Sequence, residues 1–456
     1  MELEIKTWAE RQWSGSELGD KRLTARAVEI GMRMGQNPDM GLPKQMGGRS
    51  NLVGAYRLLN NRKVTMEKII RPHLEETRKE AGKRSEAGQV VLMIHDGSVL
   101  DFSAHAKTKG IGSVGSRQQQ GMLLHSVLAV EAQSKEVLGL GHVEVIIRAD
   151  GKSAHNGGRR SEGSEGAVWE NGVKSIGLAP ANARWVHVSD RESDVFEYMG
   201  LCLKYGCHFV VRGRWNRKLE TKESECAKLI DRVRSLPSNP SAPSYWVDVD
   251  ATSKSPKRRA QLVMSWCAVE VQPPLHVKGE NCHPLKLNVV RVWEPNPPPG
   301  AEQVEWIVLT SLPVTNAEQA QQVIRYYECR WLIEDFHMCL KTGCRYEQSQ
   351  LDQALDLQNL LGFAAPIAVR LLQLRQAARL TPDLPATTLI DPLMLRLLIA
   401  HFKLKEILTL NQFWLVVARL GGYVGQPLKN PPGWRTLWAG WQTLSTWVAG
   451  VRLLEP

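Results

Sequence analysis

The sequence predicts an α/β protein: a mixed sheet covered by helices, carrying an antiparallel β insertion and flanked by helical regions at both ends. Three observations predict it. Short apolar runs separated by Gly and polar loops fill residues 89–215. Apolar residues recur every three or four positions before about residue 70 and again after 316. Between 216 and 308 lies a Pro- and Ser-rich stretch with strand candidates of its own. At about 100–200 residues per folding unit, the 456 residues make about two to four units with ample core.

The N-terminal region is read from LGDKRLTARAVEIGMRM, where Asp20 can cap a helix whose Leu23, Ala27, Ile30 and Met34 share one face. Lys21, Arg22, Arg26 and Arg33 make the other face basic, which is equally the pattern of a solvated helix face. Strands follow at VVLMI (90–94), LLHSVLAVEA (123–132), VLGLGHVEVII (137–147), RWVHVS (184–189) and HFVVRG (208–213). Several are too apolar for a sheet covered on one side. SDVFEYMGLCLKYG (193–206) supplies a helix between two of them, and LTSL (309–312) a further short strand. Inside 216–308, LKLNVVRVW (285–293) and VEWIVLT (304–310) are strand candidates, and Lys254, Lys257, Arg258 and Arg259 form a basic run. Helices return after 316 in NAEQAQQVIRYYECRWLIEDFHMCLKTG and QNLLGFAAPIAVRLLQLRQAARL, then in a Trp-rich tail.

Composition narrows the function classes. Hydrophobic residues at 43% and charged residues at 23% exclude collagen-like and acidic solvating chains. Fifty-eight Lys plus Arg against 47 Asp plus Glu give a net charge of +11, which favours an anionic partner, nucleic acid before membrane. Fifteen Trp outnumber the 7 Phe and the 8 Tyr, an excess suited to stacking as well as packing. The eight Cys include no CxxC pair, and those near His337 (Cys329, Cys339, Cys344) match no structural zinc spacing, so free and mostly buried thiols in a reducing compartment are expected. Charge from residue 2 onward predicts no signal peptide, and LLGFAAPIAV, cut short by Arg370, is shorter than a bilayer span. A soluble protein of the cytoplasm, with no membrane partner, is the expectation.

Two strand candidates lead into acids: VVLMIHD into Asp96 and WVHVSDRESD into Asp190. Catalytic groups of α/β sheets gather at the carboxyl ends of strands, so the two can converge, although each taken singly also suits a turn or helix cap. A third acid lies in the helix expected over 327–341. At about 100° per residue, Tyr327, Arg330, Glu334 and Lys341 fall within roughly 60° on one face. The plain alternative there is an exposed Arg330–Glu334 ion pair. Together, three carboxylates suit a pair of hard divalent ions, Mg²⁺ or Mn²⁺, which favour oxygen ligands and can serve both the attacking and the leaving oxygen in displacement at phosphorus. Tyr, Arg and Lys beside them suit the phosphates of a nucleic-acid backbone.

The Tyr327, Arg330, Glu334, Lys341 spacing, followed by Thr342 and Gly343, resembles the YREK signature of cut-and-paste bacterial DDE transposases, the insertion-sequence-four family of the transposon-five transposase type. The resemblance runs along most of the chain, through LGDKRLTAR (18–26), GAYRLLNN (54–61), IHDGSVL (94–100), HSVLAVEA (125–132), SDRESD (189–194), FVVR (209–212), WIVLTSLPV (306–314), AVRLLQLR (368–375) and the closing WRTLWAGW. It implies a helical DNA-binding domain over 1–70, an RNase H-like catalytic core over 71–215 and 309–376, a β insertion over 216–308, and a helical dimerisation domain over 377–456. It also implies site residues. Asp96, Asp190 and Glu334 match the catalytic, metal-binding triad. Tyr327, Arg330 and Lys341 match phosphate contacts, and Arg212 and Trp306 match positions near a flipped nucleotide, where Trp can stack on the extruded base. Lys21, Arg22 and Arg26 match the basic end-recognition segment. The sequence departs from the family at Met338 and Gln350, where basic residues are expected, and in the loop from Gly151 to Gly172.

The implied activity is DNA transposition with two Mg²⁺ or Mn²⁺ ions per site, acting on terminal inverted repeats and target DNA within a synaptic homodimer. The rival readings are a metal-dependent nuclease of the same fold without strand transfer, and a non-catalytic DNA-binding regulator derived from a transposase.

Overall fold

The computed structural model describes residues 5–105, 107–115, 119–148, 166–220, 227–249, 251, 256–277, 283–407, 409–427, 432–452 and 454. Lys254, Cys226, Cys282 and most of the loop from Gly151 to Gly172 lie outside the described residues.

The first five helices are α1 (Ile5–Trp13), α2 (Lys21–Gln36), α3 (Leu42–Met46), α4 (Arg49–Leu59) and α5 (Met66–Glu86). In α2 the expected cap forms: the Asp20 side chain accepts from the Arg22 amide, and Ala27, Ile30 and Met34 are buried. Residue 31 has to be Gly, because a Cβ there would lie 2.1 Å from the buried Trp13 ring. Helix α5 begins with the Thr65 cap and continues well past residue 70, so the helical region and the sheet share one element.

The strands are β1 (Val90–Asp101), β2 (Gly112–Val114), β3 (Gln119–Glu131), β4 (Val137–Ile146), β5 (Arg184–Ser189), β6 (His208–Arg212), β7 (Tyr245–Val249), β8 (Arg258–Val271), β9 (Leu285–Trp293) and β10 (Glu305–Thr310). They form one mixed sheet in the order β2-β3-β1-β5-β6-β10-β9-β8-β7, with β4 paired to β3. β1, β5 and β6 run parallel, while β3 and β4 on one side and β10 to β7 on the other are antiparallel.

The strands of 216–308 are antiparallel to one another, and β10 pairs with β6, so they continue the core sheet. One expectation changes: VEWIVLT and LTSL overlap in a single strand, β10. The cause is visible in the burial. Val290, Val292 and Val308 pack into the core on one face, and Val289, Ile307 and Leu309 into the core on the other. Such strands are apolar throughout because both faces are covered.

Helices α6 (Val168–Ile176), α7 (Phe196–Lys204) and α8 (Leu229–Ser235) cover one face of the sheet. The opposite face carries α9 (Ala317–Glu328), α10 (Trp331–Met338) and α11 (Ala354–Leu380), and α12 (Pro392–Phe402), α13 (Leu410–Leu420) and α14 (Trp434–Arg452), with α1 and α2, join the same core through helix–helix packing. The segment Ala354–Gln376 of α11 is long and apolar enough to cross a membrane, contrary to the reading that Arg370 cuts it short. Of its apolar window 89% is buried inside the protein, so it serves as the central core helix. The described cysteines are unpaired, with Cys202, Cys207, Cys329 and Cys339 buried.

Candidate active site

The parallel pairing of β1 with β5 positions the first two acids. Val90 faces Arg184 and Ile94 faces Val188, a constant offset that puts Asp96 level with Asp190 just beyond the last paired residues. Neighbouring strands lie about 4.8 Å apart, so the two carboxyl groups leave the sheet side by side. Alternation sets the face: Leu92, Ile94, Val186 and Val188 enter the core under α9 to α11, and Asp96 and Asp190 continue that series. Asp96 is not a strand end, however. β1 continues to Asp101 because its far half pairs with β3, Asp96 facing Ser126. Asp190 also fills the cap role, accepting from the Glu192 amide at 2.9 Å.

The third acid reaches the site from α10. Arg330 donates to Asp96 Oδ2 at 3.2 Å and to Glu334 Oε1 at 2.6 Å, so its guanidinium joins the first and third carboxylates. Burial pushes the Asp96 carboxyl up to about 7; Arg330 opposes the rise, and the charges of Asp190 and Glu334 add to it. Burial works against the Arg330 charge, yet Asp96 and Glu334 together hold it above its ordinary value.

The helix expected over 327–341 is not continuous. α9 ends at Glu328, a tight turn at Cys329 and Arg330 follows, α10 runs from Trp331 to Met338, and Cys339–Gly343 form a π-helical turn. Three-residue hydrogen bonds such as Arg330 N–H to the Tyr327 carbonyl overwind the first junction, and the Cys344 N–H to Cys339 carbonyl bond underwinds the second. The four signature residues therefore come from separate elements. Lys341 turns toward β1, donating to the Val99 carbonyl at 2.5 Å, with Glu347 3.7 Å away.

Tyr327 is buried edge-on against Trp306, ring centres 5.6 Å apart. Trp306 lies on β10, two residues from Val308, which pairs with Arg212 on β6. Arg212 donates to the Glu305 carbonyl at 3.2 Å. On α2, Lys21 and Arg22 are exposed, Arg22 paired with Asp20, whereas Arg26 and Arg33 share Glu29.

Sequence reading passed over two buried features. His187, His95 and His125 line up beneath the sheet, His95 Nε2 2.7 Å from His187 Nδ1 and its Nδ1 3.4 Å from His125 Nε2. Burial holds all three far below the usual imidazole range, His187 at about 3. The signal was a His set within an apolar strand in IHD, LLHS and VHVS. The second feature is the buried Asp194–Arg217 ion pair, at 2.6 Å, announced by the last Asp of SDRESD.

Among the described residues no three His, Cys, Asp or Glu side chains are near enough to hold an ion as they stand. The cation between Asp96 and Glu334 is Arg330. The donor chemistry nevertheless fits a hard divalent ion, because Asp96, Asp190 and Glu334 offer only carboxylate oxygens. The raised Asp96 carboxyl marks negative charge crowded into a buried place.

Residues 5–64 match the family model for the transposase DNA-binding domain, and residues 186–366 match that for the transposase DDE domain. The first match contains Lys21, Arg22 and Arg26. The second contains Asp190, Arg212, Trp306, Tyr327, Arg330, Glu334 and Lys341, while Asp96 lies between the two. Together they support a DNA transposase, with DNA as its partner, and the DDE domain implies an RNase H-like core.

Proposed function

We propose that this chain, which joins a transposase DNA-binding domain to a transposase DDE domain, performs cut-and-paste transposition of an insertion sequence of the YREK-signature, insertion-sequence-four type. The observation that carries the reading is the strand register that sets Asp96 beside Asp190 while Arg330 ties Asp96 to Glu334.

Asp96, Asp190 and Glu334 would hold two divalent ions, Mg²⁺ or Mn²⁺. Bound there, such ions supply Lewis-acid activation of an attacking oxygen and neutralise the charge on the leaving one. The chain's own residues do the rest. Lys21, Arg22 and Arg26 recognise the terminal inverted repeat. Tyr327, Arg330 and Lys341 hold the phosphates around the scissile bond, and Trp306 with Arg212 receives a nucleotide extruded from the stack. Arg330 can leave its carboxylates for a phosphate, since guanidinium binds both oxyanions in the same forked geometry. One site serves every step. Water cuts one strand at the element's end, the freed 3′-hydroxyl attacks the opposite strand to close a hairpin, water reopens it, and the same 3′-hydroxyl joins target DNA. Two ends must be held together, so the working form is a homodimer, acting in the cytoplasm on nucleoid DNA.

The test is a supercoiled plasmid carrying paired terminal repeats, taken from the DNA flanking the gene, incubated with the protein and Mg²⁺. Joined products are expected. Nicking without joining would favour a nuclease, and repeat binding with no cleavage would favour a DNA-binding regulator.

A further inference from the structure

The loop after β6 is fastened from beneath by charges that the carboxylate site does not use. Asp194, four residues past Asp190, has a fully buried side chain. Its Oδ2 accepts from the backbone amides of Arg214 at 2.7 Å and Trp215 at 2.9 Å. Its Oδ1 accepts from Arg217 Nε at 3.0 Å and Nη2 at 2.6 Å. The loop is also tied to the start of α8, where the Leu229 amide donates to the Arg217 carbonyl and the Ile230 amide to Asn216 Oδ1, both at 2.8 Å.

Burying an ion pair sacrifices much of the hydration of both partners, so the clasp is a poor device for stability alone. It sets a shape. On that rigid base Trp215 remains 54% exposed, with the Arg214 guanidinium 5.0 Å from its ring centre. The loop leaves β6 at the same end of the parallel strands from which Asp190 leaves β5. An indole face beside a cation matches what an unpaired nucleotide presents, a base face and a phosphate.

We propose that Arg214 and Trp215 form an additional nucleotide contact next to the carboxylate site: Trp215 stacks on an unpaired base of bound DNA and Arg214 meets its phosphate, with Asp194 and Arg217 as positioning residues. The choice of DNA as ligand rests on the proposed function. The experiment titrates the full chain into a fluorescent single-stranded oligothymidylate carrying one 5-iodouracil, reads anisotropy at several salt concentrations, then irradiates and maps the cross-link.

Trp215→Ala should weaken binding about 5- to 20-fold, Trp215→Phe should retain most of it, and Arg214→Ala should lower the salt slope by about one phosphate. The cross-link should fall on Trp215. In Asp194→Asn it should decline there while other cross-links persist, whereas a collapsed fold would lose them all. Wild-type binding by Trp215→Ala, or a cross-link confined to other residues, would overturn the proposal. The same preparations are assayed for Mn²⁺-dependent plasmid cleavage. Cleaving wild-type protein with an indifferent Trp215→Ala overturns the contact alone, while wild-type protein that neither cleaves nor binds overturns the functional reading as well.

Discussion

Replacing Asp96 by Asn isolates the charge that makes the carboxylate site unusual. In the folded chain the Asp96 carboxyl titrates at about 7, against 3.8 for an ordinary aspartate, and its side chain is only 16% exposed. Between those two values the folded state keeps a proton that the unfolded state has released, so stability falls as pH rises. The loss begins above the unfolded value and is complete above about 7. At about 1.4 kcal/mol per unit the full effect is about 4 kcal/mol, of which about 2.5 kcal/mol falls between pH 5 and pH 8. Asn carries no such proton. Denaturant unfolding of both proteins in EDTA across this range should therefore show wild type losing about 2.5 kcal/mol relative to Asp96→Asn as pH rises. Using the pH dependence of the difference removes the constant cost of losing the Arg330 contact. Curves that stay parallel within about 0.5 kcal/mol would refute a carboxyl raised by burial and by its acidic neighbours.

Three further perturbations test other parts of the account. Arg330→Ala removes the cation that opposes the rise of Asp96, so in EDTA the pH at which the stability difference from the matching Asp96→Asn protein levels off should shift upward; an unchanged pH would show that Arg330 does not act on the Asp96 carboxyl. Lys21→Ala with Arg22→Ala should weaken binding to the element's end and lower the log–log salt slope by about two, whereas Arg26, its side chain 36% exposed against 91% for Arg22, should contribute less. Gly31→Ala should destabilise the N-terminal helices by about 1–3 kcal/mol, read as a lower thermal midpoint, because Trp13 fills the space the methyl needs.

Much of the fold was legible because local pattern and tertiary packing agree. The apolar face of α2 and its Asp20 cap could be read directly, as could the starts of β4 and β5, where runs of Val and Leu meet polar loops. Asp96 and Asp190 stood out by following such runs, and register then brought them level. What escaped was non-local. The far half of β1, HDGSVLD, is too polar to look like a strand and is held by its ladder to β3. β10 belongs beside β6 through pairings that no short window contains. A uniform 3.6-residue period hid the tight turn at Arg330 and the π turn at Lys341, two departures that redirect signature residues. The Asp194 clasp joins residues 23 positions apart, and the exposed Trp215 above it has no periodic signal.

The central claim is that Asp96, Asp190 and Glu334, distant in sequence, surround bound divalent ions. Affinity cleavage tests it most directly. Fe²⁺ replaces Mg²⁺ in the DNA-bound protein, ascorbate and peroxide generate hydroxyl radicals at the metal, and the resulting polypeptide breaks are mapped. Breaks clustered at 94–98, 188–192 and 332–336, suppressed by excess Mg²⁺ and absent from Asp96→Asn, are predicted. Breaks confined to one of these segments, or scattered and indifferent to Mg²⁺, would contradict the claim.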